Sequence, residues 1–244
     1  EIMPSLVGSE MCIRDRQAAW APVGTAVVAS VDLAAQALLA YAPQCAREHP
    51  APRAAVAPAQ AGVPMSTAFA LQTLDAVRAA DTIVVEEAPG ARGIMQQYLH
   101  FETSESFYTM ASGGLGHGMP AAVGVALARP GRRVISLVGD GSAMYSPQAI
   151  WTAHHLQLPI TFVILNNRRY AALQDFAPVF GFAPGEKPAG TDLPDLDFVA
   201  LAQGMGCAGV RVAEADELAA ALRRALESEG PCLLYTSDAA DDTP

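Results

Sequence analysis

Residues 134–142 read VISLVGDGS, and this short stretch decides the expected fold. Its first five residues suit a strand that is buried on both faces, as the strands of parallel sheets are. The strand runs into Gly139-Asp140-Gly141-Ser142, so a carboxylate lies between two glycines at the carboxyl end. In open parallel sheets, ligands bind beyond this end of the strands. Because glycine permits backbone angles and close approaches that a side chain blocks, the pattern favours a ligand site here.

A second buried strand follows one helix later. Residues 160–167 read ITFVILNN, and a helical pattern over residues 147–156 separates them from the first strand. A strand–helix–strand crossover is nearly always right-handed and commonly places its two strands side by side. Asp140 and Asn167 are therefore expected at the same edge of the sheet. Their oxygen atoms suit Mg²⁺, and the backbone amides after Asp140 suit the phosphate oxygens of an anion.

Alternating strands and helices extend along most of the chain. This order predicts an α/β fold, a parallel sheet covered by helices on both faces. Helical patterns cover residues 67–79, 120–128, 147–156, 198–205 and 215–226, and strand patterns cover residues 82–86, 134–138, 160–165 and 209–212.

Composition divides the chain into five segments. Residues 1–16 and 232–244 match neither helical nor strand periodicity, and we interpret both as foreign or disordered tails that derive from adapter or vector sequence. Residues 17–42 suggest a strand and then a helix from about residue 32, the C-terminal end of a central domain. Residues 43–64 contain five prolines and are expected to form a linker. Residues 65–231 are expected to form the main domain.

The composition excludes several functional classes. The 244 residues include 15 Lys and Arg against 25 Asp and Glu, a formal net charge of −10, which argues against a nucleic-acid partner. The four cysteines form no CxxC pair, so the sequence contains no zinc spacing and suits a reducing compartment. No apolar run reaches the ~18 residues of a membrane helix, and no signal peptide is recognisable. We therefore expect a cytoplasmic protein with no membrane partner.

The succession of GDG, a helix, a strand and NN resembles the diphosphate-binding motif of thiamin diphosphate-dependent enzymes. The resemblance extends over residues 17–231 and is strongest to 2-oxo acid decarboxylases of the benzoylformate decarboxylase type. It implies the diphosphate-binding domain of the thiamin diphosphate-binding fold, with thiamin diphosphate and Mg²⁺ as cofactors. The segments that carry it are GGLGHGMPAAVGVALA (residues 113–128), GDGSAMYSPQAIWTA (139–153), LPITFVILNNRRYAAL (158–173) and GTDLPDLDF (190–198).

The resemblance also assigns roles to the residues that bind the metal and the diphosphate. Asp140, Asn167 and the backbone oxygen of Arg169 would ligate Mg²⁺, and the amides of Gly141 and Ser142 would hold the diphosphate. The family commonly has smaller residues after the Asn pair, a difference that a backbone ligand tolerates.

Two further residues have expected catalytic roles. Leu115 would lie beneath the thiazolium ring and bend the cofactor, and the Gly113 carbonyl would accept a hydrogen bond from its 4′-amino group. Ala172 and Phe176 would line the substrate pocket. The loop after residues 82–86 would approach the cofactor, although it has Ala, Pro and Gly where the family commonly has hydroxyl residues. The other implied cofactor-binding residues are Glu87, Gly139, Tyr170, Ala171 and Ala172.

The activity that the resemblance implies is the non-oxidative decarboxylation of a small 2-oxo acid, here benzoylformate to benzaldehyde and CO₂. An acetolactate synthase-like carboligase would share every cofactor residue and stays an alternative. A dinucleotide-binding domain is a more distant alternative, suggested by the match of Gly116-x-Gly118-x-x-Ala121 to a loose fingerprint of that fold. A non-catalytic regulatory subunit is the third, and the intact Asp140 and Asn167 argue against it.

The resemblance further implies that the site needs another part of the enzyme. In the family, the glutamate that activates the aminopyrimidine belongs to an N-terminal domain of a neighbouring subunit, and no such domain precedes residue 17 here. We expect this chain to need its own N-terminal domain and a second subunit, and to release no CO₂ from benzoylformate alone. Clear thiamin-dependent turnover by the isolated 244-residue chain would contradict this expectation.

Overall fold

The computed structural model describes residues 29–41, 56–110, 113–183 and 185–236. The chain forms two compact units, of which the first comprises residues 1–55 and 111–113 and the second the remainder. In the first unit, helix α1 spans Val31–Tyr41, and the hydroxyl of Ser30 accepts a hydrogen bond from the Leu33 amide at 3.3 Å. The helix predicted from about residue 32 is thus confirmed. The tail over residues 1–16 and the linker residues 43–55 lie outside the described residues.

The second unit is built on a six-stranded sheet. The spatial order is β2-β1-β3-β4-β6-β5, and every neighbouring pair is parallel. The parallel sheet predicted from the sequence is therefore confirmed. In chain order the strands are β1 (Ile83–Glu87), β2 (Phe107–Thr109), β3 (Val134–Gly139), β4 (Ile160–Leu165), β5 (Ala208–Val212) and β6 (Cys232–Thr236).

The helices of this unit include all those predicted and three more. The additional helices α3, α5 and α7 have four to seven residues, too few for a clear periodic pattern. None of the described helices has the length and apolar character needed to cross a membrane. The helices are α2 (Thr67–Val77), α3 (Arg92–Tyr98), α4 (Gly118–Ala128), α5 (Asp140–Ala143), α6 (Ala149–His155), α7 (Ala171–Phe176), α8 (Phe198–Gly204) and α9 (Ala215–Glu227), with 3₁₀ turns at Pro89–Ala91 and Ala177–Phe180.

Helices cover both faces of the sheet, as predicted. Ile83 and Val85 of β1 point to one face, where they pack with residues of α4, α6 and α8. Val84, between them, points to the other face and packs with residues of α2, α3 and α9. This alternation follows from the two-residue period of a strand and explains why the central strands are mostly apolar.

The connections around β1 and β3 open a crevice at the carboxyl ends of the strands. The chain leaves β1 through α3, whose Met95 packs on the face of Val84. It leaves β3 towards α6, whose Ile150 packs on the opposite face. Since the two neighbouring strands continue on opposite faces, their carboxyl ends flank the position where such sheets bind ligands.

The last part of the predicted linker packs on the second unit. Residues 56–64 form no helix or strand, as expected. The Ala59 amide nevertheless donates to Oε1 of Gln72 at 2.8 Å, and the Tyr98 hydroxyl donates to the Ala57 carbonyl at 3.1 Å. The second unit accordingly begins at Val56 rather than after residue 64.

The C-terminal boundary at residue 231 was placed too early. Cys232–Thr236 forms β6, which pairs with β4 on one side and with β5 on the other. Leu233 and Leu234 are fully buried, on opposite faces of the sheet. Interpreting residues 232–236 as a tail was wrong, because this buried segment completes the sheet between β4 and β5. Residues 237–244 lie outside the described residues.

The position of β6 predicts that its side chains matter for stability. We expect Leu234→Ala to lower the free energy of unfolding by about 2–5 kcal/mol, because the substitution leaves a cavity between α9 and the sheet. Leu127→Ala is the matched control, since Leu127 is 56% exposed on α4 and its truncation should change stability by less than about 1 kcal/mol. Urea unfolding of both variants measures the difference. Equal, small losses would show that β6 is not part of the folded sheet.

Candidate functional site

The candidate metal ligands meet at the carboxyl ends of β3 and β4. The strand register pairs Gly139 with Leu165, so Asp140 and Asn166 follow at the same edge. Asp140 is buried, and its Oδ1 accepts a hydrogen bond from the Gly141 amide at 2.8 Å. Its Oδ2 is buried without a hydrogen-bond partner among the described residues. A buried carboxylate oxygen needs a donor or a cation, so this atom marks a place for a ligand.

Backbone amides of the loop after β4 surround the same carboxylate. Burial is the largest influence on Asp140 and raises the pKa of its carboxyl group above the usual value. The amides of Gly141, Arg168, Asn167 and Arg169 act against burial and favour the charged form. A cation at Oδ2 would favour the charged form further.

Side chains and the backbone hold this loop in shape. The Arg168 amide donates to Oδ1 of Asn166 at 3.1 Å, and the Arg169 amide donates to Oδ1 of Asn167 at 3.2 Å. Arg168 itself has φ = 57°, in the left-handed region that is uncommon for residues other than glycine. The Leu193 amide donates to the Arg168 carbonyl at 2.7 Å and ties the loop to the neighbouring segment. Such strained, well-held loops cluster at functional sites.

Asn166 is a buried polar residue to which the sequence analysis gave no role. Its Nδ2 is buried without a hydrogen-bond partner in the described part of the chain. Asparagine is common in turns, so the sequence alone could not distinguish this residue from an ordinary turn residue. Among the described residues, this sheet edge therefore has a donor without a partner, Nδ2 of Asn166, as well as an acceptor without one, Oδ2 of Asp140.

Gly141 lies against a tyrosine side chain, and the predicted close approach of a ligand stays a prediction. A Cβ atom at this position would lie 2.5 Å from Cδ1 of Tyr170, so the tyrosine ring covers the glycine backbone. Gly139 differs, because its φ is −74° and no described atom lies within 4 Å of an added Cβ. We find no structural requirement for glycine at 139. The buried Ser142 lies with Gly141 in α5, which begins seven residues before the helix predicted from residue 147.

Tyr145 connects this site with the loop before α4. Its ring meets that of Tyr170 edge-on, with 6.5 Å between the centroids. A Cβ at Gly116 would lie 3.0 Å from Cβ of Tyr145. Leu115, which is 37% exposed, and Tyr145 both line a cavity of about 450 Å³. Local sequence gives no signal for this position of Tyr145, since its contacts depend on the folded arrangement.

Glu87, at the end of β1, contacts the same loop from the other side. The residue is buried, and its Oε1 accepts a hydrogen bond from the Gly116 amide at 2.6 Å. Its Oε2 accepts a short hydrogen bond from the Gly118 amide. Both side-chain oxygens thus bind the start of α4. The predicted contact between Glu87 and the cofactor would therefore involve the backbone of Glu87.

This contact argues against the dinucleotide-binding alternative. In that fold, glycine amides at a helix N-terminus receive the pyrophosphate. Here the amides of Gly116 and Gly118 already donate to Glu87, and a phosphate at the same place would meet its negative charge.

The remaining predicted residues fall into two groups. Ala171, Ala172 and Phe176 all lie on α7, and an added Cβ at Gly90 would lie 3.8 Å from that of Ala171, so the loop after β1 meets the start of this helix. Gly113 belongs to the first compact unit, and its predicted contact with the cofactor stays a prediction.

The described residues contain no group of three or more His, Cys, Asp and Glu side chains that could hold a metal. A metal site at this edge therefore depends on an amide or backbone oxygen beside Asp140.

Comparison with known proteins gives this arrangement a context. The family model for the thiamine pyrophosphate enzyme, C-terminal TPP binding domain, matches residues 90–236. The chain is 39% identical over 223 residues to benzoylformate decarboxylase of Pseudomonas aeruginosa. This match covers 89% of the present chain and 41% of the relative. The chain is also 33% identical over 168 residues to the acetolactate synthase isozyme 2 large subunit of Escherichia coli. That match covers 68% of the present chain and 30% of the relative.

A solved structure agrees with these sequence matches. The thiamine diphosphate-dependent 4-hydroxybenzoylformate decarboxylase of Rhodococcus jostii RHA1 is similar with a TM-score of 0.79 and 34% identity. The match covers 92% of this chain and 43% of that structure. The chain thus spans less than half the length of the relatives that it matches.

The contact between Gly141 and Tyr170 predicts the effect of a methyl group at this position. We expect Gly141→Ala to lower the free energy of unfolding by about 1–3 kcal/mol, because relieving the clash displaces Tyr170. We also expect it to weaken the binding of thiamin diphosphate, because Tyr170 is an expected cofactor contact. Titration calorimetry measures the affinity, and urea unfolding measures the stability. Gly124→Ala, within α4 and with open space around it, is the control that should bind normally. Unchanged affinity in Gly141→Ala would contradict the prediction.

Proposed function

Because the chain belongs to the thiamine pyrophosphate enzyme family and matches its C-terminal cofactor-binding domain, we propose that it binds thiamin diphosphate together with Mg²⁺ at the carboxyl ends of β3 and β4. The observation that carries this proposal is the buried Asp140 carboxylate, whose Oδ2 has no hydrogen-bond partner among the described residues. This unsatisfied oxygen fits a cation, and a bound cation would in turn attract an anionic cofactor.

The chain supplies three of the oxygen ligands in this proposal. They are the carboxylate of Asp140, the side-chain oxygen of Asn167 and the backbone oxygen of Arg169. Magnesium takes about six oxygen ligands, so two diphosphate oxygens and a water would complete the set. The amide of Ser142 would contact the diphosphate, and the amide of Gly141 would do so after releasing its hydrogen bond to Oδ1 of Asp140. Since the chain has a net charge of −10, an anionic ligand depends on the metal and these amides for attraction.

The bound cofactor supplies an electron sink for the electron pair that remains when CO₂ leaves a 2-oxo acid. The protein residues would bind and orient the cofactor. The Gly113 carbonyl would accept the hydrogen bond of the cofactor's amino group, and Leu115 would support its ring system. Correct orientation before the reaction is a large part of what an enzyme contributes to the rate.

For the whole enzyme we propose the conversion of benzoylformate to benzaldehyde and CO₂. The identity of 39% to the Pseudomonas aeruginosa enzyme and the TM-score of 0.79 to the Rhodococcus jostii enzyme support this substrate class. Ala172 and Phe176 would line the substrate pocket, and the ring of Phe176 is 60% exposed and available to an aromatic substrate. The activity would require the remaining part of a longer chain and at least one more subunit.

A carboligase of the acetolactate synthase kind is the second candidate. The similarity to the Escherichia coli isozyme supports it, because such an enzyme uses the same cofactor residues. The two candidates differ in their products. A complete enzyme that contains this chain should release benzaldehyde from benzoylformate, whereas a carboligase should form acetolactate from pyruvate.

Magnesium-dependent binding tests the proposed site directly. We expect the 244-residue chain to bind thiamin diphosphate only with Mg²⁺, and Asn167→Ala to lower the affinity by about 10–100-fold or more, because one metal ligand is lost. Titration calorimetry with and without Mg²⁺ measures both effects. Gln203→Ala, which removes an exposed side chain on α8, is the control that should bind like the unmodified chain.

Two results would refute parts of this proposal. Unchanged affinity in Asn167→Ala would refute the assignment of this residue as a ligand. Equal affinity in the presence and absence of Mg²⁺ would refute the metal itself.

A further inference from the structure

Glu87 is a buried carboxylate whose side-chain oxygens both bind backbone amides of one loop. Glu87 is 2% exposed, and its two side-chain oxygens accept hydrogen bonds from the amides of Gly116 and Gly118. Among the described residues, no cationic side chain forms an ion pair with it. Hydrogen bonds to a charged group are roughly twice as strong as neutral ones, so this pair of contacts is a strong restraint on the loop.

Two serines hold the same two glycines through their carbonyl groups. The Ser146 hydroxyl donates to the Gly116 carbonyl at 3.1 Å, and the Ser136 hydroxyl donates to the Gly118 carbonyl at 3.4 Å. Both glycines are thus bonded through N–H and C=O. Leu115 immediately precedes this held segment.

The close approach of the loop to β1 depends on Gly118. An added Cβ there would lie 2.7 Å from Cβ of Glu87 and 3.0 Å from Cγ1 of Val138, so α4 begins directly on the ends of β1 and β3. The first amides of a helix have no partner within the helix, and an anion near them is favourable. Glu87 therefore caps the 11-residue helix α4 from a neighbouring strand.

The preceding residue makes different contacts. Glu86 is equally buried, but its carboxylate accepts hydrogen bonds from Arg92 at 3.0 Å and from the Thr109 hydroxyl at 2.6 Å. It joins β1 to β2 and α3 and makes none of its hydrogen bonds to the loop before α4. The two adjacent glutamates thus form a natural comparison of one buried carboxylate with another.

We propose that Glu87 is a positioning residue that holds the loop at residues 115–118 against the crevice, so that Leu115 faces the ring half of the cofactor. This inference rests on the proposed function. The negative charge of Glu87 has a second effect, because it excludes phosphate from the amides at the start of α4. The diphosphate is thereby directed to the edge of β3 and β4, and the cofactor can bind in one orientation only.

Comparing two ligands of the 244-residue chain tests this inference. Inorganic diphosphate with Mg²⁺ uses only the sites at β3 and β4, whereas thiamin diphosphate also uses the loop. In Glu87→Gln, the amide nitrogen faces one of the two backbone N–H groups and breaks that hydrogen bond. We expect this variant to bind thiamin diphosphate roughly tenfold or more weakly, and inorganic diphosphate within about twofold of the unmodified chain. Backbone amides at residues 114–118 should exchange hydrogen faster.

Glu86→Gln is the matched control, and its ratio of the two affinities should equal that of the unmodified chain. If Glu87→Gln does not fold, Ser146→Ala repeats the test with a smaller change and the same expected direction. Equal weakening for both ligands, or unchanged hydrogen exchange, overturns the inference. If the unmodified chain binds inorganic diphosphate but not thiamin diphosphate, the proposed function fails instead, and hydrogen exchange still shows whether Glu87 holds the loop.

Discussion

The parallel pairing of β3 with β4 is the constraint on which the rest of the site depends. It places the residues after Gly139 and Leu165 at one edge, and thereby brings the Asp140 carboxylate under the loop that contains Asn166 and Asn167. Neither segment has a distinctive chemistry alone, because a Gly-Asp-Gly turn and an Asn pair are both common. A shift of the register by one residue would turn these side chains to the opposite faces of the sheet. The buried cores on both faces prevent such a shift. The packing that stabilises the sheet therefore also fixes the geometry of the site.

Much of this arrangement could be predicted, because long apolar strands and helices carry a periodic signal. The order of strands and helices, the two covered faces and the proximity of Asp140 to the Asn pair all follow from that signal and from the handedness of the crossover. The features that could not be predicted are short or depend on distant contacts. β2 has three residues and α5 has four, too few for a clear pattern, and each is stabilised by its neighbours. β6 is as long as β1 and β5, but it is recognised as a strand only through its pairing with β4 and β5.

The side chains that hold the site were the least predictable part. Glu87 was expected to approach the cofactor because it follows the strand predicted over residues 82–86, but the residue whose amide it binds, Gly116, lies 29 residues further along the chain. Tyr170 was expected to bind the cofactor, and the structure shows that its ring covers Gly141. Tyr145 contacts both Tyr170 and the loop before α4, although it lies on neither of the strands that carry the motif. Contacts of this kind require the fold first, since local sequence contains no information about which loops meet.

The distribution of buried negative charge explains how an acidic chain can accept an anionic ligand. Three carboxylates are buried near the carboxyl ends of β1 and β3, and each is compensated differently. Glu86 pairs with Arg92, and Glu87 takes the amides at the start of α4. Of the three, only Asp140 has an oxygen without a partner among the described residues, and burial raises the pKa of its carboxyl group. In the proposed function, a divalent cation there would neutralise the carboxylate and retain charge for a diphosphate, so the metal would make the site attractive to an anion. Because the other two carboxylates already have hydrogen-bond donors, they would not compete for that metal, and both the cation and the diphosphate would bind at the edge of β3 and β4.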